Sequence, residues 1–168
     1  HDALPIYKKQ LYILGLIDDC TRLCHIEITD SNTSAEASMA TSKALKWFTV
    51  HGILPEVVMT DNGSEFTAFT SQKAKETHFF ETTLKMFNIK HIYTKPYRPQ
   101  TNGKIERFWR ILNDECILCQ NKTLTKEELQ AELDGFMYRY NYQRRHSALK
   151  YITPLDKLKN IVDLLPEL

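Results

Sequence analysis

The stretch VVMTDNGSEF, Val57 to Phe66, ends a β-branched apolar run abruptly on an acid, an amide and a glycine. Val57, Val58 and Met59 read as the last residues of a strand buried on both faces. Asn62-Gly63 then supplies a sharp turn. Taken alone, Asp61 does no more than open that turn. A chemical role for an acid at a strand end requires a partner acid elsewhere in the chain.

Outward from this stretch the elements fall in a clear order. Upstream, QLYILGLID (Gln10 to Asp18) and RLCHIEI (Arg22 to Ile28) read as two strands joined by the polar turn Asp19-Cys20-Thr21, a hairpin signal. From Thr33-Ser34 a helical period runs through Ala37, Met39, Leu45 and Trp47 to Phe48, and Gly52 terminates it. A helix thus links the hairpin to EVVMT in what reads as a β-α-β crossover. Downstream, Thr67 to Lys75 is polar and loop-like, and Phe79, Phe80, Leu84 and Phe87 mark a second amphipathic helix before the strand IKHIYT. PYRPQTNG, Pro96 to Gly103, excludes regular structure through its prolines, Asn and Gly. A long helix is expected from Lys104 to about Gln120, with Ile105, Phe108, Trp109, Leu112, Cys116 and Cys119 on one stripe. Thr125 and Glu128 form a capping box for another through Tyr140, and Thr153-Pro154 opens a short last one. Strands first, then strand and helix alternating, then helices alone indicate a mixed α/β domain with a helix-covered sheet.

Composition bounds the class. At 168 residues, 42% of them hydrophobic, the chain buries one sizeable core and reads as one domain spanning 1–168. It holds no apolar run of about 18 residues, which excludes a spanning helix. HDALPIYKKQ has no charged segment leading into an apolar one, so no signal peptide is visible and a soluble intracellular protein is expected. Cys20, Cys24, Cys116 and Cys119 are spaced as two pairs, but one pair spans a turn and a strand and the other lies in a helix. Reduced, mostly buried thiols are expected rather than a zinc site. The net charge of +1 is small for unaided nucleic-acid binding. Basic residues nonetheless crowd two regions: Lys90 to Arg110, and Arg139 to His146.

The partner acid is Glu106, in the first turn of the helix after the Pro-rich loop. The macrodipole favours an acid there, so a structural role alone would explain it. Its neighbours Ile105 and Phe108 lie on the apolar stripe, which sets Glu106 beside the core-facing side, able to look across a sheet end. Phosphoryl transfer on nucleic acid uses two divalent ions ~3.5 to 4 Å apart, and two carboxylates are too few to hold them. A third acid is required, and hard oxygen ligands suit Mg²⁺ or Mn²⁺.

TDNGSEF, PYRPQTNGKIERF and YNYQRRHSALKYITP, in this order, resemble the catalytic core of the retroviral-integrase superfamily, most of all bacterial insertion-sequence transposases. The resemblance covers nearly the whole chain. It implies a ribonuclease H-like α/β fold: a five-stranded mixed sheet with helices on both faces. It places the second and third members of an Asp-Asp-Glu triad on Asp61 and Glu106. For the first, Asp2 fits by spacing. The alternatives are an acid upstream of His1, because many relatives carry it at a distance before a Leu-Pro pair that here falls outside the chain, and Asp18 or Asp19. The segment between Asp61 and Glu106 is longer than the family's commonest, with the surplus expected in the loop Thr67 to Lys75.

The same resemblance implies a polynucleotidyl transferase, an enzyme that cuts mobile-element DNA ends and joins the 3′ hydroxyl to target DNA. The rivals are a nuclease that only hydrolyses and a degenerate core that binds DNA or a partner. Asp2, Asp61 and Glu106 would hold two Mg²⁺ or Mn²⁺ ions. Tyr97, Arg98, Gln100, Asn102, Lys104, Arg107 and Arg110 would contact DNA, with Arg110 one helical turn beyond Glu106. Double-stranded DNA, element ends and target, is the expected partner, with a homo-oligomer of at least a dimer and no membrane. A bacterial, nucleoid-associated cytoplasmic location and an N-terminal DNA-binding region lying outside this chain are also expected.

Overall fold

Alternation of apolar residues at Ile13, Gly15 and Ile17 with Leu14 and Leu16 builds the first strand with two useful faces. The computed structural model describes residues 11–68, 70–94, 103–117 and 124–163. β1 (Tyr12–Ile17) and β2 (Cys24–Thr29) pair antiparallel from Tyr12 opposite Thr29 to Ile17 opposite Cys24. The hairpin loop is closed by Asp18, whose carboxylate accepts from the Thr21 amide and hydroxyl, each at 2.6 Å. Arg22 leaves the loop in the left-handed region at φ 65°.

Helix α1 (Ser34–Val50) begins at Thr33, whose side chain accepts from the Glu36 amide, and the chain turns away at Gly52, φ 79°. β3 (Val57–Thr60) and β4 (Lys90–Tyr93) then pair in parallel, Val57 opposite Lys90 and Thr60 opposite Tyr93. The crossover between these two strands runs through α2 (Gln72–Glu76) and α3 (Phe79–Met86). A short helix thus interrupts the segment expected as loop, because Ser71 caps it by accepting from the Ala74 amide. α4 (Gly103–Leu112) continues as a π-helical turn, Asn113–Ile117. α5 (Lys126–Tyr138) carries the expected Thr125–Glu128 capping box and also continues as a π-helical turn, Arg139–Gln143. α6 (Pro154–Val162) follows with a second capping box, Thr153 and Asp156.

Helices cover both faces of the hairpin. On one side Cys24 and Ile26 join Phe108, Leu112 and Cys116 of the α4 segment and Leu133, Phe136 and Tyr140 of the α5 segment, with Ile13 and Ile17 against them. Gly15 is needed on this side: a Cβ there would stand 3.0 Å from the Trp109 ring. On the other side Leu14 and Leu16 meet a core of Ala37, Leu45, Val58, Phe80, Leu84 and Ile89. Leu23, Phe48 and Leu158 close the end of the molecule at α6.

Two expectations need correcting. Among the described residues there are four strands in two separate pairs, β1-β2 and β3-β4, rather than one five-stranded sheet. The helix α1 therefore joins strands of different pairs, and the parallel crossover is the one from β3 to β4. A cavity of about 340 Å³ separates β1 from β3, lined by Tyr12 to Leu16 on one side and Val58 to Asp61 on the other. For the same reason β3 is not buried on both faces. Val58 packs inward, but Val57 and Met59 are 47% and 42% exposed, and Met59 opens into this cavity.

Candidate active site

Asp61 follows directly on β3, where the strand's last backbone pairing gives way to the Asn62-Gly63 turn. Its Oδ1 accepts from the Gly63 amide at 2.9 Å, so the turn orients the carboxylate that opens it. Asn62 Nδ2 donates to the Thr94 carbonyl at 3.4 Å and ties the turn to the end of β4. The exposed Asp61 lines the cavity between the strand pairs. Ile105 and Trp109 of α4 line it as well, which brings the first turn of that helix to the same cavity. Glu106, next to Ile105, is exposed at this turn.

A part-buried polar network adjoins the end of β3 next to Asp61. The Glu81 carboxylate on α3 accepts from His91 Nδ1 at 2.7 Å and from the Tyr93 hydroxyl. The other His91 nitrogen, Nε2, stands 2.8 Å from the Thr60 hydroxyl, which is also 2.8 Å from the Asp61 carbonyl. Burial pushes His91 below its ordinary value, against the pull of Glu81. A neutral imidazole with its proton on Nδ1, facing Glu81, leaves Nε2 as an acceptor that competes with the Asp61 carbonyl for the single Thr60 hydroxyl proton. Burial works to raise the Glu81 carboxyl, but the hydrogen bonds from Tyr93 and His91 outweigh it and hold the group below its usual range. Burial and the same carboxylate push Tyr93 up to about 12.

The remaining expected residues divide. Asp2, Tyr97, Arg98, Gln100 and Asn102 lie outside the described residues. Asp18 is committed to the hairpin loop, and Asp19 pairs with Lys104 and, at 3.9 Å, with Arg22. Lys104 is therefore held by an acid rather than free for phosphate. Arg110 is exposed on α4. Arg107 is exposed and does not line the cavity; burial lowers His146 first, and the charges of Arg144, Arg107 and Arg22 lower it further. Glu65 was not among the expected site residues, yet it lines the cavity and its carboxylate folds back over Gly63. Its place in TDNGSEF, one turn beyond Asp61, is the signal that could have found it. Nothing local signals Glu81, His91 and Tyr93, which meet only through the crossover.

The carboxylates of Asp61, Glu65 and Glu106 are hard donors of the kind Mg²⁺ or Mn²⁺ takes. Among the described residues no group of three or more His, Cys, Asp or Glu stands close enough to hold a metal ion. The described acids suit such an ion in kind, and Asp2, the further acid expected, lies outside the described residues. Cys20 is exposed while Cys24 and Cys116 are buried in one core, with burial raising the Cys24 thiol, and Cys119 lies outside the described residues.

Residues 1–99 match the family described as Integrase core domain, and residues 87–154 match a second family model with the same description. The chain belongs to the integrase core family. This integrase core is 35% identical over 158 residues to the ORF3 protein of Spiroplasma virus SpV1-C74, which is named as an integrase; the match covers 91% of this chain and 43% of that protein. It is 27% identical over 146 residues to a 31.7 kDa protein of insertion element IS407 from Burkholderia multivorans, covering 87% and 48%. The integrase core thus spans less than half the length of these curated relatives. Its fold is that of retroviral integrase catalytic cores. The catalytic core of BIV integrase superposes with a TM-score of 0.67 at 21% identity, covering 90% of this chain and 87% of that one. The HTLV-2 integrase catalytic core in complex with magnesium, in a trimeric form, gives 0.56 at 20% identity, covering 86% and 82%. Among the described residues no helix is long and apolar enough to cross a membrane.

Proposed function

We propose that this chain is the catalytic core of a metal-dependent polynucleotidyl transferase that cuts the DNA ends of a mobile element and joins the freed 3′ hydroxyl to target DNA. One observation carries the reading: Asp61 and the first turn of α4 share a single cavity in a chain of the integrase core family. Asp61, Glu106 and Asp2 would hold Mg²⁺ or Mn²⁺, two ions in all. Bound there, the ions would stabilise the attacking and leaving oxygens of an in-line displacement.

The chain's own residues position and exclude. The Gly63 amide holds one Asp61 oxygen and leaves the other for a cation. Arg110, one turn beyond Glu106, meets a phosphate of the donor strand, and Arg107 a neighbouring one. Tyr97, Arg98, Gln100, Asn102 and Lys104 complete the DNA contacts, with Lys104 exchanging Asp19 for phosphate. The cavity between β1 and β3 is where a fifth strand would join the two pairs into one mixed sheet. Double-stranded DNA is the partner, and the joining of two ends calls for at least a dimer. Such a protein would act on nucleoid DNA in the bacterial cytoplasm.

The second reading is a core that binds DNA without chemistry. A strand-transfer assay with a pre-cut element end and Mn²⁺ separates these. Joined product that disappears in Asp61→Asn supports the transferase. Hydrolysis without joining would indicate a nuclease, and binding with neither reaction the non-catalytic core.

A further inference from the structure

The helices α4 and α5 both continue into π-helical turns, Asn113–Ile117 and Arg139–Gln143, and residues of both turns line one cavity of about 250 Å³. Glu115 comes from the first turn, and Phe136, Arg139, Tyr140, Gln143 and Arg144 from the second and its flanks. Turns of this kind are rare and gather at functional sites. None of these residues lines the cavity at Asp61. Phe136 and the Tyr140 ring belong to the core and form the apolar wall. The polar wall is two arginines and an amide against one acid.

More positive charge surrounds this cavity than lines it. Arg22 from the hairpin loop and Arg107 from α4 stand close enough to Tyr140 for their charges to act on its phenol. Burial and Cys24 raise that group, and Arg144, Arg22 and Arg107 work in the other direction. Arg22 Nη1 is buried with no hydrogen-bond partner among the described residues, 3.9 Å from the Asp19 carboxylate that Lys104 already holds. Glu115 pairs with Arg144, whereas Arg107 and Arg139 have no ion-pair partner among the described residues. Like charges gathered in this way repel, and one exposed pair offsets little of it. An anion with several acceptor oxygens relieves the repulsion, and the guanidinium fork matches a phosphate with two bonds.

We propose that the cavity between the two π-helical turns binds a phosphate group of the DNA backbone, with Arg139 and Arg144 as its contacts and Glu115 holding Arg144 until DNA displaces it. The inference rests on DNA being the partner of this chain. Arg107 ties the cavity to the DNA face expected on α4, because it lies one helical turn before Arg110 and both are exposed. A backbone that meets Arg110 runs on past Arg107 to the cavity. A phosphate held there fixes the path of the duplex away from the reacting atoms and carries no base information.

The test is binding of a short labelled duplex to the full chain in EDTA, followed by fluorescence anisotropy over a salt series, with each variant's melting temperature alongside. Arg139→Gln should lower the slope of log affinity against log salt by about one. Arg144→Gln should lower it by less, since Arg144 gives up Glu115 to take the phosphate. Glu115→Gln should act in the opposite direction and tighten binding by up to about fivefold, because an exposed ion pair no longer has to be broken. All three side chains are at least partly exposed, so these variants should melt with the wild type. Unchanged slopes in Arg139→Gln and Arg144→Gln, with the slope of Arg110→Ala lowered, overturn the inference and leave DNA as the partner. An equal loss of slope in Lys46→Gln, an exposed cation of α1, would mean diffuse charge and overturn it as well. Inorganic phosphate is the second probe. If it raises the melting temperature of the wild type but not of Arg139→Gln, while the two bind duplex alike, the cavity takes free phosphate and the assignment to DNA falls. A wild type that binds no duplex overturns both the inference and the reading of DNA as partner.

Discussion

Asn141 holds both backbone groups of Cys24: its Oδ1 accepts from the Cys24 amide at 3.0 Å and its Nδ2 donates to the Cys24 carbonyl at 2.8 Å. The side chain thereby acts as a strand residue at the start of β2 and docks the segment after α5 onto the hairpin. Both partners are buried, at 2% and 0% exposure. Asn141→Leu should leave a buried N–H and C=O unpaired, destabilising the domain by about 2 to 5 kcal/mol. Urea unfolding checks it, and a loss below about 1 kcal/mol would mean that water or a shifted backbone replaces the amide.

Asp61→Asn and Glu106→Gln remove charge and keep shape. Both should abolish cleavage and strand transfer together, because one site serves both steps, with unfolding free energy changed by no more than about 0.5 kcal/mol at these exposed positions. Their metal-free melting temperatures should rise slightly as repulsion between acids is relieved. Near-wild-type joining by either variant would remove that residue from the site.

The Glu81–His91 pair makes stability fall in acid. His91 is held below its ordinary value by burial, so between that lower value and about 6.5 the unfolded chain binds a proton that the folded chain refuses. Glu81 is also lowered, and its contribution, complete above the unfolded carboxylate value, is lost as pH falls through the folded one. Both signs agree. The urea midpoint should decline on acidification from about pH 8 to pH 5, and His91→Phe should flatten the upper part of that decline. A midpoint that rises over this window would contradict the buried neutral imidazole.

Lys104 and Arg110 lie on the same helix but differ in what already neutralises them. Asp19 pairs with Lys104, whereas Arg110 stands exposed. Arg110→Ala should lower the slope of log affinity against log salt by about one for a donor DNA end. Lys104→Ala should change it by less, since its release from Asp19 offsets part of the phosphate gain. Asn102→Ala should slow single-turnover cleavage more than it weakens binding, because an amide adds no net charge. Fluorescence titrations of labelled donor DNA at several salt concentrations measure the slopes. Equal slopes for Arg110→Ala and the wild type would return this face of α4 to plain solvated surface.

The sequence by itself determined whatever is encoded within a few consecutive residues. The hairpin, the Thr33 start and Gly52 turn bounding α1, the Thr125–Glu128 capping box and the Asp61 turn all rest on local propensity and short-range hydrogen bonds, and each stands as read. The family signature names Asp61 and Glu106 together although 45 positions separate them in the chain. Tertiary structure alone decided the rest, because those features depend on partners remote in the chain. Asn141 meets Cys24 across 117 positions and Lys104 meets Asp19 across 85, and no periodicity announces either. Val57-Val58-Met59 reads as a doubly buried strand on hydrophobicity alone. Its real exposure follows from the cavity that separates β3 from β1. The Glu81 network exists only because the β3-to-β4 crossover lays α3 beside β4, bringing one acid against two residues of a parallel neighbour and, through them, to the end of β3 next to Asp61.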